Sequence, residues 1–169
     1  HYIDTSGESF RDFLKGELPI LQGERPTLKD WEDHMTTAFP EVRLKQYLEM
    51  RGADGGPWGI LCALPAFWVG LLYDEQALAE AETYVENWNI DELEKLRNEV
   101  PKFALRTRFR GFSVQDIACD VLEISKGGLG RRARLDNAGN DETSFLNPLF
   151  QIAGSGNSCL LYTSPSPRD

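Results

Sequence analysis

Residues 42–58 read VRLKQYLEMRGADGGPW, and the reading of this stretch decides the fold. Along an extended chain successive side chains point to opposite faces. Val42, Leu44, Leu48 and Met50 then share one face, with Gln46 as its only polar member. Arg43, Lys45, Tyr47, Glu49 and Arg51 share the other. The alternation predicts a strand with one apolar and one charged side. Such a strand belongs in an antiparallel sheet with one face solvated, or in an active-site sheet whose charged face looks into a cleft. Asp54, Gly55, Gly56 and Pro57 end it, with Pro57 suited to the first turn of a following helix.

Working outward, helices dominate. Downstream, residues 59–72 (GILCALPAFWVGLL) form the longest apolar run. It is shorter than the roughly 20 residues that a membrane span requires, and Pro65 interrupts it. A buried helix kinked near Pro65 is the expectation. Further helices are expected over 75–88, over 90–98 with a stop before Pro101, and from a cap at Ser113 to a stop at Gly127 and Gly128. Residues 103–112 read as basic and mostly irregular, 130–141 as a polar loop, and 142–152 as a last short helix.

Upstream, Thr27 caps a helix ended by Pro40, with Asp30 three residues on in the capping-box position. A short helix starts at Ser9, and 16–26 is a Gly- and Pro-rich loop. One strand needs partners. These are expected from sequence preceding residue 1 or from weak strands around residues 2–5.

Composition narrows the class. The 169 residues, 41% of them hydrophobic, are enough for one domain with a core. A formal charge of −9 argues against nucleic acid or an anionic membrane as the main partner. Cys62, Cys119 and Cys159 are too few and too scattered for a disulfide framework or a zinc site, which points to a reducing compartment. The chain opens HYIDTSGESF, without Met or a signal-peptide pattern, and reads as part of something longer. Residues 158–169 (SCLLYTSPSPRD) have no period and read as translated vector or adaptor sequence. The expected domain division is therefore 1–157 and a non-native tail, 158–169.

Glu49 and Arg51, two apart, emerge side by side on the charged face. A carboxylate can ligate Mg²⁺, and a guanidinium can grip phosphate oxygens bidentately. The same two residues could equally form an ordinary surface ion pair. His34 lacks a second histidine at metal spacing, and Cys62 reads as a small core residue. The basic 106–110 segment is by default a solvated loop, and Gly127 to Gly130 lacks the preceding strand of a dinucleotide loop.

More residues than these carry a resemblance. LEMRGADGGPW, residues 48–58, followed by an apolar helix, resembles the E-x-R-x-x-D…P-aromatic signature of the glutamine synthetase superfamily. HYIDTSGESFRDFL (1–14), LKDWEDHMTTAFPEVRLKQYLEMRGADGGPW (28–58) and CALPAFWVGLLYDE (62–75) are similar to the C-terminal part of glutamate–cysteine ligase of the plant and bacterial type. The resemblance runs over about 2–153 and is densest over 27–75. It implies an α+β fold: a mostly helical fragment contributing one or two strands to the antiparallel active-site sheet of a glutamine synthetase-like catalytic domain.

It also implies ATP and Mg²⁺ as cofactors and glutamate and cysteine as substrates, joined in the first step of glutathione synthesis. By that resemblance Glu49 matches the metal-site Glu and Arg51 the Arg facing the transferring ATP phosphate. Lys45 and Arg43 lie in the matching FPEVRLK stretch and are expected at a phosphate and at a substrate carboxylate. Asp54 is expected to be structural. The compartment implied is the cytoplasm, or the plastid for a plant protein. The chain departs from the family at Gly59 and Ile60, where two arginines are usual (WRRLCALP), and a fragment of this kind is expected to be inactive alone. The competing expectation is a non-catalytic helical module that binds a partner.

Overall fold

The computed structural model describes residues 3–37, 39–44, 46–53 and 55–158. The chain divides into two compact units, residues 1–53 and 54–169.

In the first unit, α1 (Phe10–Lys15) is followed by a 3-10 turn (Pro19–Leu21) and by α2 (Leu28–Thr36). The Thr27–Asp30 capping box forms as expected, satisfying two of the amide donors that a helix start leaves unpaired. Phe10 stacks on His34 at 4.0 Å between ring centroids and tilts against Trp31. His34 is thus held by aromatic packing. Leu18 is the one buried residue among those described in this unit.

The charged and apolar stretch is not one strand. It folds into a hairpin, β1 (Val42–Leu44) against β2 (Leu48–Met50), antiparallel. The partner strand is therefore the second half of the same stretch, and residues 3–5 form no strand. The register pairs Val42 with Met50, Arg43 with Glu49 and Leu44 with Leu48. Because the paired numbers share parity, the separation into an apolar and a charged face survives the fold-back.

The second unit is helical. Its elements are α3 (Trp58–Leu72), α4 (Glu75–Val85), α5 (Ile90–Phe103), α6 (Val114–Arg132), a 3-10 segment (Glu142–Leu146) and α7 (Asn147–Ser155). The core gathers where α3 crosses α6, from Ala63, Leu71, Ala77, Leu122, Leu129, Leu146 and Ala153. Ser113 closes a capping box with Asp116, as its position ahead of the apolar run implies.

Gly127 and Gly128 do not stop α6, which continues to Arg132 and ends at Ala133 in the left-handed region (φ 48°). Gly128 serves packing instead: a Cβ there would lie 2.0 Å from the Gly70 carbonyl oxygen of α3. Gly70 is its counterpart, with a Cβ 2.3 Å from the Ser125 carbonyl oxygen. Ser125, fully buried at the crossing, donates its hydroxyl to the Phe67 carbonyl at 2.8 Å.

Other boundaries also move. α5 runs through Pro101, which lies in the last turn, where its missing N–H removes a single helical bond. The basic segment is ordered: β3 (Arg108–Phe109) pairs with β4 (Phe112–Ser113) across Arg110 and Gly111, both with positive φ, the geometry of a tight hairpin turn. α3 contains Pro65 and buries Ala63, Gly70 and Leu71, while Trp58, Leu61 and Pro65 are exposed and Trp68 and Leu72 half-buried. No helix among the described residues is long and apolar enough to cross a membrane.

Candidate functional site

The charged face of the β1–β2 hairpin is built by pairing. Arg43 and Glu49 occupy one rung, and Arg43 Nε donates to Glu49 Oε2 at 2.6 Å. Opposite charges directly across a ladder attract. The bond to Glu49 holds the Arg43 guanidinium further above its ordinary range. Two rungs outward, beyond Val42 and Met50, the Arg51 amide donates to the Glu41 carbonyl at 2.8 Å, which carries the pairing past the formal strand ends. Glu41, Arg43, Glu49 and Arg51 therefore line one face, two acids and two bases.

Arg51 is placed differently from Arg43. Its guanidinium carbon lies 5.2 Å from the centroid of the Phe39 ring, within cation–π range. Its Nη1 is shut away from water and has no hydrogen-bond partner among the described residues. A desolvated cationic donor of this kind is costly until an acceptor arrives. A phosphate or carboxylate oxygen would supply one.

Of the residues singled out from sequence, the hairpin brings Arg43 and Glu49 into direct contact and sets Arg51 beside them. Lys45 and Asp54 lie outside the described residues. Glu41 was missed. Its signal appears only in the register, because a residue before the strand becomes a member of the face when 41 falls opposite 51. Its Oε2 lies 2.8 Å from where a Cβ on Gly52 would be, so Gly52 leaves room for that carboxylate.

Among the described residues no group of three or more His, Cys, Asp or Glu side chains could hold a metal ion. Among the described residues the offer to Mg²⁺ is therefore fewer than three such groups at any one point. That fits an ion that keeps several waters and shares itself between one or two carboxylates and substrate phosphates, but it is not a whole site. The basic 106–110 segment is occupied structurally: Arg108 donates to the Gly111 carbonyl at 2.6 Å, and Arg110 lies 3.3 Å from Glu92. Cys62 and Cys119 are half-buried free thiols.

The family model described as "Glutamate-cysteine ligase family 2(GCS2)" matches residues 2–159. Similar curated proteins include "Glutamate--cysteine ligase A, chloroplastic" of Oryza sativa subsp. indica, 55% identical over 155 residues, 92% of this chain and 30% of that protein. "Glutamate--cysteine ligase, chloroplastic" of Solanum lycopersicum is 54% identical over 92% of this chain and 28% of its own length. The protein of the same name from Arabidopsis thaliana is 53% identical over the same shares. The chain thus spans about 30% of the length of the curated relatives it matches.

Proposed function

The chain belongs to glutamate–cysteine ligase family 2, and on that premise we propose that its hairpin is part of the catalytic cleft of an ATP-dependent ligase. The reaction joins the γ-carboxylate of glutamate to the amine of cysteine, the first step of glutathione synthesis. A free carboxylate is a poor electrophile. Attack of its oxygen on the γ-phosphorus of ATP breaks the bond to the β–γ bridging oxygen, releasing ADP and giving γ-glutamyl phosphate. The cysteine amine then attacks the carbonyl, phosphate leaves, and the amine gives up a proton.

The observation that carries this reading is Arg51, half-buried on a charged face with its Nη1 shut from water and without an acceptor among the described residues. In such a site Arg51 grips the ATP phosphates and offsets charge on the phosphoryl group as it moves. Glu49 would hold Mg²⁺, which when bound neutralises the phosphates. Arg43, already bonded to Glu49, orients that carboxylate and faces a substrate carboxylate; Lys45 would add a second cation toward phosphate. The remaining ligands would come from the other 70% of such a ligase; residues 1–157 alone are then inactive, and 158–169 contribute nothing. The relatives are named chloroplastic, and a plastid location is the corresponding proposal here.

A complete ligase carrying this segment tests the assignment. Arg51→Ala should lower turnover by orders of magnitude with little change in melting temperature. Turnover at the parental rate sinks the role of Arg51. A second reading, a non-catalytic helical module, is favoured by the loss of charge at Gly59 and Ile60, where the family usually carries two arginines. Mg·ATP separates the two. Protection against heat, abolished by Glu49→Ala, supports the ligase; no protection supports the module.

A further inference from the structure

The two arginines of the hairpin face are held by different means. Arg43 is bonded through Nε to the Glu49 carboxylate at 2.6 Å, so its charge is already answered by an anion. Arg51 lies over the Phe39 ring, 5.2 Å from its centroid, and its Nη1 has no hydrogen-bond partner among the described residues. An aromatic ring attracts a guanidinium through the negative face of its π-system. It supplies no oxygen acceptor, so the contact holds the cation and leaves that donor unspent. A carboxylate in the place of Phe39 would hold Arg51 too, but would neutralise it.

The local sequence brings the ring there. Phe39 stands directly before Pro40, a position biased toward extended backbone. Two residues on, the Glu41 carbonyl accepts from the Arg51 amide at 2.8 Å, which ties the approach to β1 alongside the end of β2. Residues 39–51 all lie within the first unit, so the contact is internal to it.

We propose that Phe39 is a positioning residue for phosphate binding: its ring holds the Arg51 guanidinium in place with a donor kept for an ATP phosphate oxygen. This rests on the ligase reading above. Arginine is a long side chain with many rotamers, and fixing it before the ligand arrives lowers the ordering cost of binding. Phe39 touches no reacting atom in this arrangement and acts only through Arg51.

Equilibrium binding of a non-hydrolysable ATP analogue with Mg²⁺, measured on a complete ligase carrying this segment, is the test. Phe39→Leu keeps apolar bulk and removes the ring. It should weaken binding by about twofold or more, with the melting temperature little changed. Phe39→Tyr, which keeps a ring face, should bind as the parent does. In an Arg51→Met background Phe39→Leu should have no further effect, because the ring then has no cation to hold. Equal weakening by Phe39→Leu and Phe39→Tyr overturns the proposal, and so does the same weakening in the Arg51→Met background. Parental affinity in Phe39→Leu beside weakened binding in Arg51→Met removes Phe39 and leaves the ligase reading standing. A parent that binds no nucleotide, or binding unchanged by Arg51→Met, removes the role of Arg51 and that of Phe39 with it. If the ligase carrying this segment does not fold, the same substitutions are read at the matching positions of the whole Oryza sativa protein.

Discussion

Arg43 and Glu49 face each other across the two strands of the hairpin, joined by a 2.6 Å hydrogen bond between Nε and Oε2. The bond makes the expected substrate cation and the expected metal carboxylate one unit. Replacing either releases the other, so their effects should not add. In a double-mutant cycle with Arg43→Met and Glu49→Gln, the unfolding free energies should reveal a favourable coupling that shrinks in 1 M salt. Additive changes would mean that the pair contributes nothing to the hairpin.

The crossing of α3 and α6 predicts a severe effect from a single methyl group. Gly128→Ala places a Cβ 2.0 Å from the Gly70 carbonyl oxygen, against backbone that cannot swing aside. The helices must separate, at a cost of about 1–3 kcal/mol or more. Denaturant unfolding should show a lowered midpoint. Gly130→Ala on the same helix meets nothing within 4 Å and serves as the control, raising stability through helix propensity.

At the start of α6, Ser113→Ala should cost about 1 kcal/mol through the lost cap. The partner carboxyl of Asp116 is held below its ordinary range by hydrogen bonds from the Ser113 hydroxyl and amide. A depressed folded-state value stabilises above the ordinary carboxylate range and is lost as pH falls through the folded value. Acid unfolding followed by circular dichroism should therefore show a shallower loss of stability below pH ~4 in Asp116→Asn than in the parent.

Tyr84 gives the opposite signature. Burial, with a 2.8 Å bond from its hydroxyl to Asp120, pushes its phenol up to about 12. A raised folded-state value contributes stability that is complete below the ordinary value of 10.0 and lost as pH rises through 12. Ultraviolet titration should show one tyrosine ionising late, and Tyr84→Phe should remove that step. A titration without such a step would contradict the Tyr84–Asp120 bond.

Gly59, the second residue of α3, is exposed, and a Cβ there would make only an ordinary 3.6 Å contact with Pro148. Gly59→Ala should raise stability by about 0.5–1 kcal/mol, since glycine is a poor helix residue. Gly59→Arg, which restores one of the family's usual cations, should fit equally well. Its effect on Mg·ATP affinity in a complete ligase reports whether that position faces the site.

Local chemistry was legible in the sequence wherever it acts over a few residues. The capping box at Thr27–Asp30 and the cap at Ser113 were readable because a cap and the amides it serves lie within one turn, while Asp116 as the partner of Ser113 emerged only in the structure. The division of residues 42–51 into two faces was readable because alternation belongs to any extended chain, and the LEMRGADGGPW motif carried the family. Folding back was hidden, since residues 45–47 contain none of the glycine or asparagine that marks a tight turn. With the register hidden, so was Glu41 on the charged face.

Long-range contact decided the rest. Gly127 and Gly128 resemble a helix stop, yet α6 runs through them. The close approach of Gly128 to the Gly70 carbonyl, nearly sixty residues earlier, outweighs the modest local penalty for glycine in a helix. In the same way the apolar run of α3 announced burial, but only the packed structure showed that Ala63, Gly70 and Leu71 are the residues it buries. Sequence carries the chemistry of each side chain and its local geometry. Which surfaces meet depends on the crossing of distant elements, and that is set by shape and volume in three dimensions.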